Sequence, residues 1–235
     1  GDLTLNAAGD VRIAPNGTLS AKKTLALNTP SQLDTRKATL HGTNVEISAG
    51  ALHNQYGSIT AAGPATLRVQ GELLNTGGLI AAAGKHHIQA GQLNNRAGTL
   101  AGGNLTVSVS GGIDNRKGLM LADDVLRLSA ARLANDDTLG VIGMAKTPMS
   151  STAMATAASS AATPSTPIAT GVSGKTVEVR VAHVNNTRGA MHARGDLTLV
   201  SEEIKNPSGQ IAAQCNARID TQTLRSKQGT LAADQ

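Results

Sequence analysis

The sequence predicts an all-β fold, a right-handed parallel β-helix solenoid of about ten rungs with one long inserted loop. A unit of about twenty residues recurs ten times along the 235-residue chain, which is the period of a solenoid. Apolar residues within each unit are two positions apart, as in a strand with one buried face. The chain has one Tyr and no Phe or Trp, so its core must be aliphatic and narrow.

The apolar spacing assigns short strands to each unit. Leu105 and Val107 form one such pair, and Leu197 and Leu199 form another. No unit shows the three- and four-residue spacing of an amphipathic helix. A single unit cannot bury its apolar side, but stacked units can. Ten rungs roughly 4.8 Å apart would give a rod about 48 Å long, and the usual hand of parallel crossovers predicts a right-handed coil.

A recurrent Asn-x-x-Gly step predicts a tight turn in each unit. Asn occupies its position in seven of ten units, and Gly follows three residues later in eight of ten. We expect Asn to tolerate, and Gly to favour, the left-handed backbone of such a turn. We also predict that the asparagine side chains hydrogen-bond from rung to rung as a ladder; an Asn that only forms turns is the alternative. The ladder positions are Asn54, Asn75, Asn95, Asn115, Asn135, Asn186 and Asn206.

One segment interrupts the repeat. Residues 144–173 are rich in Ala, Ser, Thr and Pro and lack alternation. We therefore predict rungs 1–7 over residues 1–143, an insertion loop over residues 144–173, and rungs 8–10 over residues 174–235. Long loops within compact domains are uncommon and often functional.

The repeat unit resembles the filamentous haemagglutinin repeat of large exoproteins that Gram-negative bacteria export by two-partner secretion. The pattern Leu-x-Asn-x-x-Gly-x-apolar, with Asn75 and Gly78 in one copy and Asn95 and Gly98 in another, carries the resemblance over nearly the whole chain outside the insertion. The resemblance implies a secreted or surface-exposed rod and an outer-membrane transporter as a secretion partner.

Three functions follow as alternatives. The first is the structural and adhesive shaft of a haemagglutinin-like adhesin that attaches to host cells or other surfaces. The second is a stalk or receptor-binding segment of a contact-dependent growth inhibition exoprotein. The third, a β-helical enzyme that degrades polysaccharides, has little support. The carboxylate pairs Asp123–Asp124 and Asp136–Asp137 are sequence neighbours, and no other unit supplies a matching cluster.

Two surface features are candidates for binding. Arg194, Gly195 and Asp196 form an Arg-Gly-Asp tripeptide of the kind that integrins bind, but Gly-Asp is also the ordinary opening of a unit. The two positions after the Asn column are often basic, and stacking would align them as an edge able to bind a sulfated glycan. A solvated turn is the alternative reading of this basic edge, which consists of Arg36, Lys37, Arg96, Arg116, Lys117, Arg188 and Lys227.

The remaining signals exclude several functions. We predict no enzyme activity, no catalytic residues and no cofactor. We also predict no metal site, because the His86–His87 pair has no companion ligands at a suitable spacing. Nucleic-acid binding is not expected, because base stacking uses aromatic side chains. No apolar run is long enough for a membrane span, and the lone Cys215 cannot form an internal disulfide.

Overall fold

The computed structural model describes residues 1–139 and 171–233, and every regular element in these ranges is a strand. In chain order the strands are β1 (Leu3–Asn6), β2 (Val11–Arg12), β3 (Thr18–Ser20), β4 (Thr24–Asp34), β5 (Thr39–Gly42), β6 (Asn44–His53), β7 (Ser58–Ala61), β8 (Ala65–Val69), β9 (Glu72–Leu74), β10 (Leu79–Ala90), β11 (Gln92–Asn94), β12 (Thr99–Val109), β13 (Gly112–Asp114), β14 (Leu119–Ala122), β15 (Val125–Ala134), β16 (Gly171–Gly174), β17 (Thr176–Asn185), β18 (Ala190–Ala193), β19 (Leu197–Lys205), β20 (Gln210–Ala213), β21 (Ala217–Arg225) and β22 (Thr230–Ala233).

The strands form three parallel ladders that run along a rod. We call them face 1, which begins with β1, face 2, which begins with β2, and face 3, which begins with β3. Each strand pairs in parallel with the equivalent strand of the next rung, as β1 does with β4, β2 with β4, and β3 with β5. Long strands such as β4 and β10 bend round a corner and contribute to two faces. The parallel β-solenoid of about ten rungs is therefore confirmed.

Inward-facing side chains form continuous aliphatic columns. On face 1, Leu67, Ile88, Val107 and Leu128 follow one another in register, and none is more than 2% exposed. A strand places alternate side chains on opposite faces, so the two-residue apolar spacing becomes one dry core along the rod axis. Because each rung is only three short strands wide, branched aliphatic side chains fill most of this core without Phe, Tyr or Trp.

The insertion ends earlier than predicted. Strand β16 pairs with β14 and β18, so its residues Gly171–Ser173 belong to face 3 of a rung, and the predicted loop end at residue 173 is wrong. The ladder bond between Asn135 and Asn186 spans 51 positions, whereas neighbouring ladder bonds span 20. The rest of the predicted loop lies outside the described residues.

The Asn-x-x-Gly step forms the expected tight turn between faces 2 and 3, but the residue with the left-handed backbone is the one before the glycine. The amide of Gly98 donates to the Asn95 carbonyl at 3.0 Å, and Ala97 between them has φ of +51°. A positive φ at the third residue only is the mark of a type II turn. Other rungs place non-glycine residues such as Lys117 and Tyr56 at this left-handed position.

The glycine three residues after the asparagine is required because a side chain there would clash, and not because of its φ angle. This corrects the sequence-based expectation. A Cβ atom on Gly98 would lie 2.1 Å from the carbonyl oxygen of Asn75 and 2.7 Å from Oδ1 of Asn95. The same crowding occurs at Gly118, where Asn95 and Asn115 are the neighbours. The glycine column thus leaves room for the asparagine side chains of its own rung and the rung before.

Candidate functional site

The most ordered polar feature of the rod is a chain of buried asparagine side chains at the corner between faces 2 and 3. Nδ2 of each donates to Oδ1 of the next at 2.7–2.8 Å. All are fully buried, and together they are Asn54, Asn75, Asn95, Asn115, Asn135, Asn186 and Asn206. Thr35 donates to Asn54 at one end, and Ser226 accepts from Asn206 at the other.

Each asparagine amide also bonds to the backbone. Nδ2 of Asn95 lies 3.2 Å from the carbonyl oxygens of Gly98, in its own turn, and Leu119, in the following rung. A buried amide left without partners would be costly, and here its hydrogens meet side-chain and backbone acceptors. The column therefore fixes the register between rungs at this corner.

The insertion point retains the ladder with a different turn residue. Thr138 stands where most rungs have glycine, and its Oγ1 donates to the Asn135 carbonyl at 3.0 Å. The same hydroxyl accepts the backbone amide of Ala190 at 2.9 Å. The rung that carries the insertion is thus joined to the next rung on both sides of the gap in the described residues.

The predicted basic edge lies on the surface just outside the asparagine column, but three of its guanidinium groups face carboxylates. Arg36 contacts Asp34 at 2.6 Å, Arg116 contacts Asp114 at 2.5 Å, and Arg188 contacts Asp137 at 2.5 Å. The edge is therefore a mixed row of ion pairs with Lys37, Arg96, Lys117 and Lys227 between them, rather than a uniform basic stripe. Because these pairs are surface-exposed on the cation side, each contributes little to stability.

Three carboxylates at this edge, Asp34, Asp114 and Asp136, have shifted pKa values. Hydrogen bonds from Arg36 hold the pKa of Asp34 below its usual value. Burial opposes ionisation of Asp114, yet hydrogen bonds from Arg116 keep its pKa lowered. Burial raises the pKa of Asp136, although the Thr187 amide donates to its carboxylate.

Asp34 and Asp114 belong to a column of side chains that the sequence analysis missed. The position directly before the asparagine column often carries Asp or Asn, whose side-chain oxygen accepts the backbone amide two residues later. Asp34, Asn94, Asp114 and Asn185 all do so, at 3.1–3.2 Å. Such Asx turns are a known role of Asp and Asn, and their spacing next to the more regular Asn column was the available signal.

The Arg-Gly-Asp tripeptide lies at the corner between faces 3 and 1, between β18 and β19. Oδ1 of Asp196, which is exposed, accepts from both the backbone amide and Nδ2 of Asn216 in the next rung, at 3.2 and 2.9 Å. Arg194 donates to the carbonyl oxygen of Asp123 at 2.6 Å. Asp2 caps the following rung in the same manner, through the amide of Thr24. The tripeptide thus has a structural function in rung stacking.

The remaining candidate groups are separated. His86 is fully buried in face 1, where its Nδ1 contacts the Ala101 carbonyl at 2.7 Å, and burial lowers its pKa to about 4. Its neighbour His87 points to the other side of the strand and is half-buried. Cys215 is exposed. Within the described ranges no three potential metal ligands come together, and no helix could cross a membrane.

Comparison with known proteins gives the family. The sequence model of the haemagglutinin repeat matches residues 1–162 and 126–235, which together span the whole chain. This chain belongs to the haemagglutinin repeat family. It is also 32% identical over 150 residues to a protein of Dickeya dadantii (strain 3937) named deoxyribonuclease CdiA. That match includes 63% of this chain and 4% of the relative, so the chain corresponds to a small part of a much longer protein.

The family match sets the cellular location. Haemagglutinin repeat proteins are secreted or cell-surface proteins of Gram-negative bacteria, and the chain is a repeat segment of an exoprotein of this two-partner-secretion class. No solved structure gives a significant match.

Proposed function

We propose that this segment is a shaft that holds binding or effector parts of its parent exoprotein away from the cell surface and attaches the parent to host cells or other surfaces. The observation that carries the proposal is the asparagine ladder, which links rungs on both sides of the insertion. A shaft needs resistance to bending and unwinding along its whole length. Hydrogen-bonded rungs around a dry aliphatic core supply that resistance. Because each rung contacts only its neighbours, every interface between rungs must be bonded in this way.

Attachment needs surface groups that a receptor could reach. The second carboxylate oxygen of Asp196 has no hydrogen bond within the described parts of the chain, and Asp196 is exposed. Lys37 and Lys117 project from the turn column beside ion-paired arginines. These groups support an integrin-type receptor and a sulfated glycan, respectively, as partners of the adhesive shaft.

A stalk in a contact-dependent growth inhibition exoprotein is the second candidate. It is favoured by one observation, the similarity to the Dickeya protein named deoxyribonuclease CdiA. In that case the chain would present a toxin that lies elsewhere in the parent, and the parent's transporter in the outer membrane would be its secretion partner. Neither candidate assigns catalysis to this segment.

Whole-rung and partial-rung deletions in the parent protein test the shaft proposal. Deleting residues 96–115 joins Asn95 to Arg116 and removes one ladder period of 20 positions. Secretion and attachment should persist with a slightly shorter rod. Deleting only residues 96–105 removes half a rung and should abolish both, because the ladders lose register. Equal effects of the two deletions would contradict the shaft.

The attachment partners are tested by point variants of the parent. Asp196→Ala should reduce adhesion to integrin-bearing cells, whereas Asp2→Ala, which alters the same type of corner outside the tripeptide, should not. Unchanged adhesion in Asp196→Ala would remove the integrin partner. Killing of neighbouring bacteria that survives loss of adhesion would favour the growth-inhibition stalk.

A further inference from the structure

An open groove runs along the rod at the corner between faces 1 and 2. Its volume is about 530 Å³, and it crosses the rungs from Ser48 to Ser129. The outward side chains along it follow one another in strict register, Ser48 beside Arg68, Arg68 beside Gln89, and Gln89 beside Ser108, with Ser129 next. The groove is therefore a periodic surface to which each rung contributes one side chain of this polar column, and Gln70 and Ser110 add further polar groups to its lining.

Glycine makes this corner concave. Gly50, Gly71, Gly91 and Gly111 occupy it in four successive rungs and are joined amide to carbonyl at 2.8–2.9 Å. A Cβ on Gly91 would lie 2.7 Å from the carbonyl of Gln70. Because the corner has no side chains at these positions, the backbone forms one wall, while the outward column of face 1 forms the other.

The groove column has unused hydrogen-bonding capacity. Within the described ranges, the side chains of Arg68, Gln89 and Ser108 make no hydrogen bond and no ion pair. By contrast, Arg127 on the same face contacts Glu178 at 2.9 Å. The column thus offers amide and hydroxyl groups that both donate and accept, together with one uncompensated guanidinium.

We propose that this groove binds a linear anionic glycan along the rod axis, with a carboxylate or sulfate of the glycan on Arg68. The hydroxyls of a glycan donate and accept as the groove side chains do, and these side chains recur at each rung, roughly 4.8 Å apart, so that successive sugars of an extended chain can meet them in turn. A guanidinium is a bidentate ligand for carboxylate and sulfate. An added peptide strand does not fit equally well, because the rung backbones already bond to one another at this corner.

The proposal goes beyond the shaft function and concerns a different surface from the basic edge. Binding is measured by fluorescence anisotropy with three labelled oligosaccharides of equal length. Hyaluronan carries carboxylates alone, heparin carries carboxylates and sulfates, and a cello-oligosaccharide is neutral. At least one anionic probe should bind more tightly than the neutral probe. Arg68→Gln should weaken that binding about tenfold, the loss of one charge-assisted contact. Whether hyaluronan or only heparin binds identifies the anion.

Matched variants separate the groove from net charge and from the basic edge. Arg218→Gln removes an exposed arginine elsewhere on face 1 and should leave binding unchanged. Ser108→Leu fills the groove without altering charge and should weaken binding as Arg68→Gln does. The proposal is overturned if neither anionic probe binds or if Arg68→Gln and Arg218→Gln behave alike. It is also overturned if Ser108→Leu binds normally, or if Arg96→Gln on the basic edge is the variant that loses binding. Each of these results would leave the shaft function intact, since the deletion test addresses that separately.

Discussion

Truncating one asparagine in the middle of the ladder should destabilise the rod by an amount that the hydrogen bonds predict. Asn95 is fully buried, its Oδ1 accepts from Asn75 at 2.7 Å, and its Nδ2 donates to Asn115 at 2.7 Å. In Asn95→Ala, Nδ2 of Asn75 keeps its contact with the Gly78 carbonyl at 3.2 Å. Oδ1 of Asn115 loses its ladder donor and stays buried. One unsatisfied buried acceptor costs about 1–3 kcal/mol, and this is the expected loss of unfolding free energy.

A second substitution at the same position tests whether the ladder needs a hydrogen-bond donor there. Asn95→Asp places a carboxylate oxygen where Nδ2 stood, 2.7 Å from Oδ1 of Asn115 and 3.2 Å from the carbonyl of Leu119. Acceptors then face acceptors around a buried charge, so the loss should exceed that of Asn95→Ala and pass about 3 kcal/mol. The loss should shrink as the pH falls, because protonation of the new carboxyl restores one donor.

Urea unfolding followed by circular dichroism measures both variants, with Asn94→Ala as the matched control. Asn94 lies next to Asn95 but is only half-buried, and its Oδ1 accepts the Arg96 amide in an Asx turn. Its loss should cost about 0.5–1 kcal/mol. Equal midpoints for Asn95→Ala and Asn94→Ala, or an Asp variant no weaker than the Ala variant, would refute the ladder as a source of stability.

Three further perturbations test other parts of the rod. The pKa of His86 is about 4 in the folded protein against 6.5 when exposed; the unfolded chain therefore takes up the proton first, and stability should fall by at most roughly 3 kcal/mol as the pH drops from 6.5 to 4. Urea titrations across this range should show a smaller fall for His86→Leu. In one turn, Lys117→Gly should raise the free energy of unfolding by about 0.5–1 kcal/mol, and with it the thermal midpoint, since φ is +56° there. Gly118→Ala should lower the free energy of unfolding by about 2–3 kcal/mol, because a Cβ would lie 2.3 Å from the Asn95 carbonyl oxygen; the opposite signs would show that φ, not space, governs the glycine. Asp196→Ala should lower stability only slightly, and a large loss in thermal denaturation would show that its corner is more than a surface cap.

The amino-acid sequence by itself determined the period, the alternation and the residues that stack. Leu105 and Val107 could be assigned to the core because a strand's two-residue alternation is a local property. Asn75 and Asn95 could be aligned because a solenoid stacks equivalent positions of each unit. The absence of Phe and Trp likewise indicated a thin aliphatic core.

Tertiary structure decided what happens between rungs at the corners. The pairing of Arg188 with Asp137 joins residues 51 positions apart, and no local pattern specifies which neighbouring side chains meet there. The steric role of Gly118 is set by the asparagine of the preceding rung, so a single unit could not reveal it. The groove beside Arg68 exists because small residues coincide at one corner in successive rungs. These features depend on contacts between separate turns of the chain, and the sequence specifies them only through the stacking that the fold imposes.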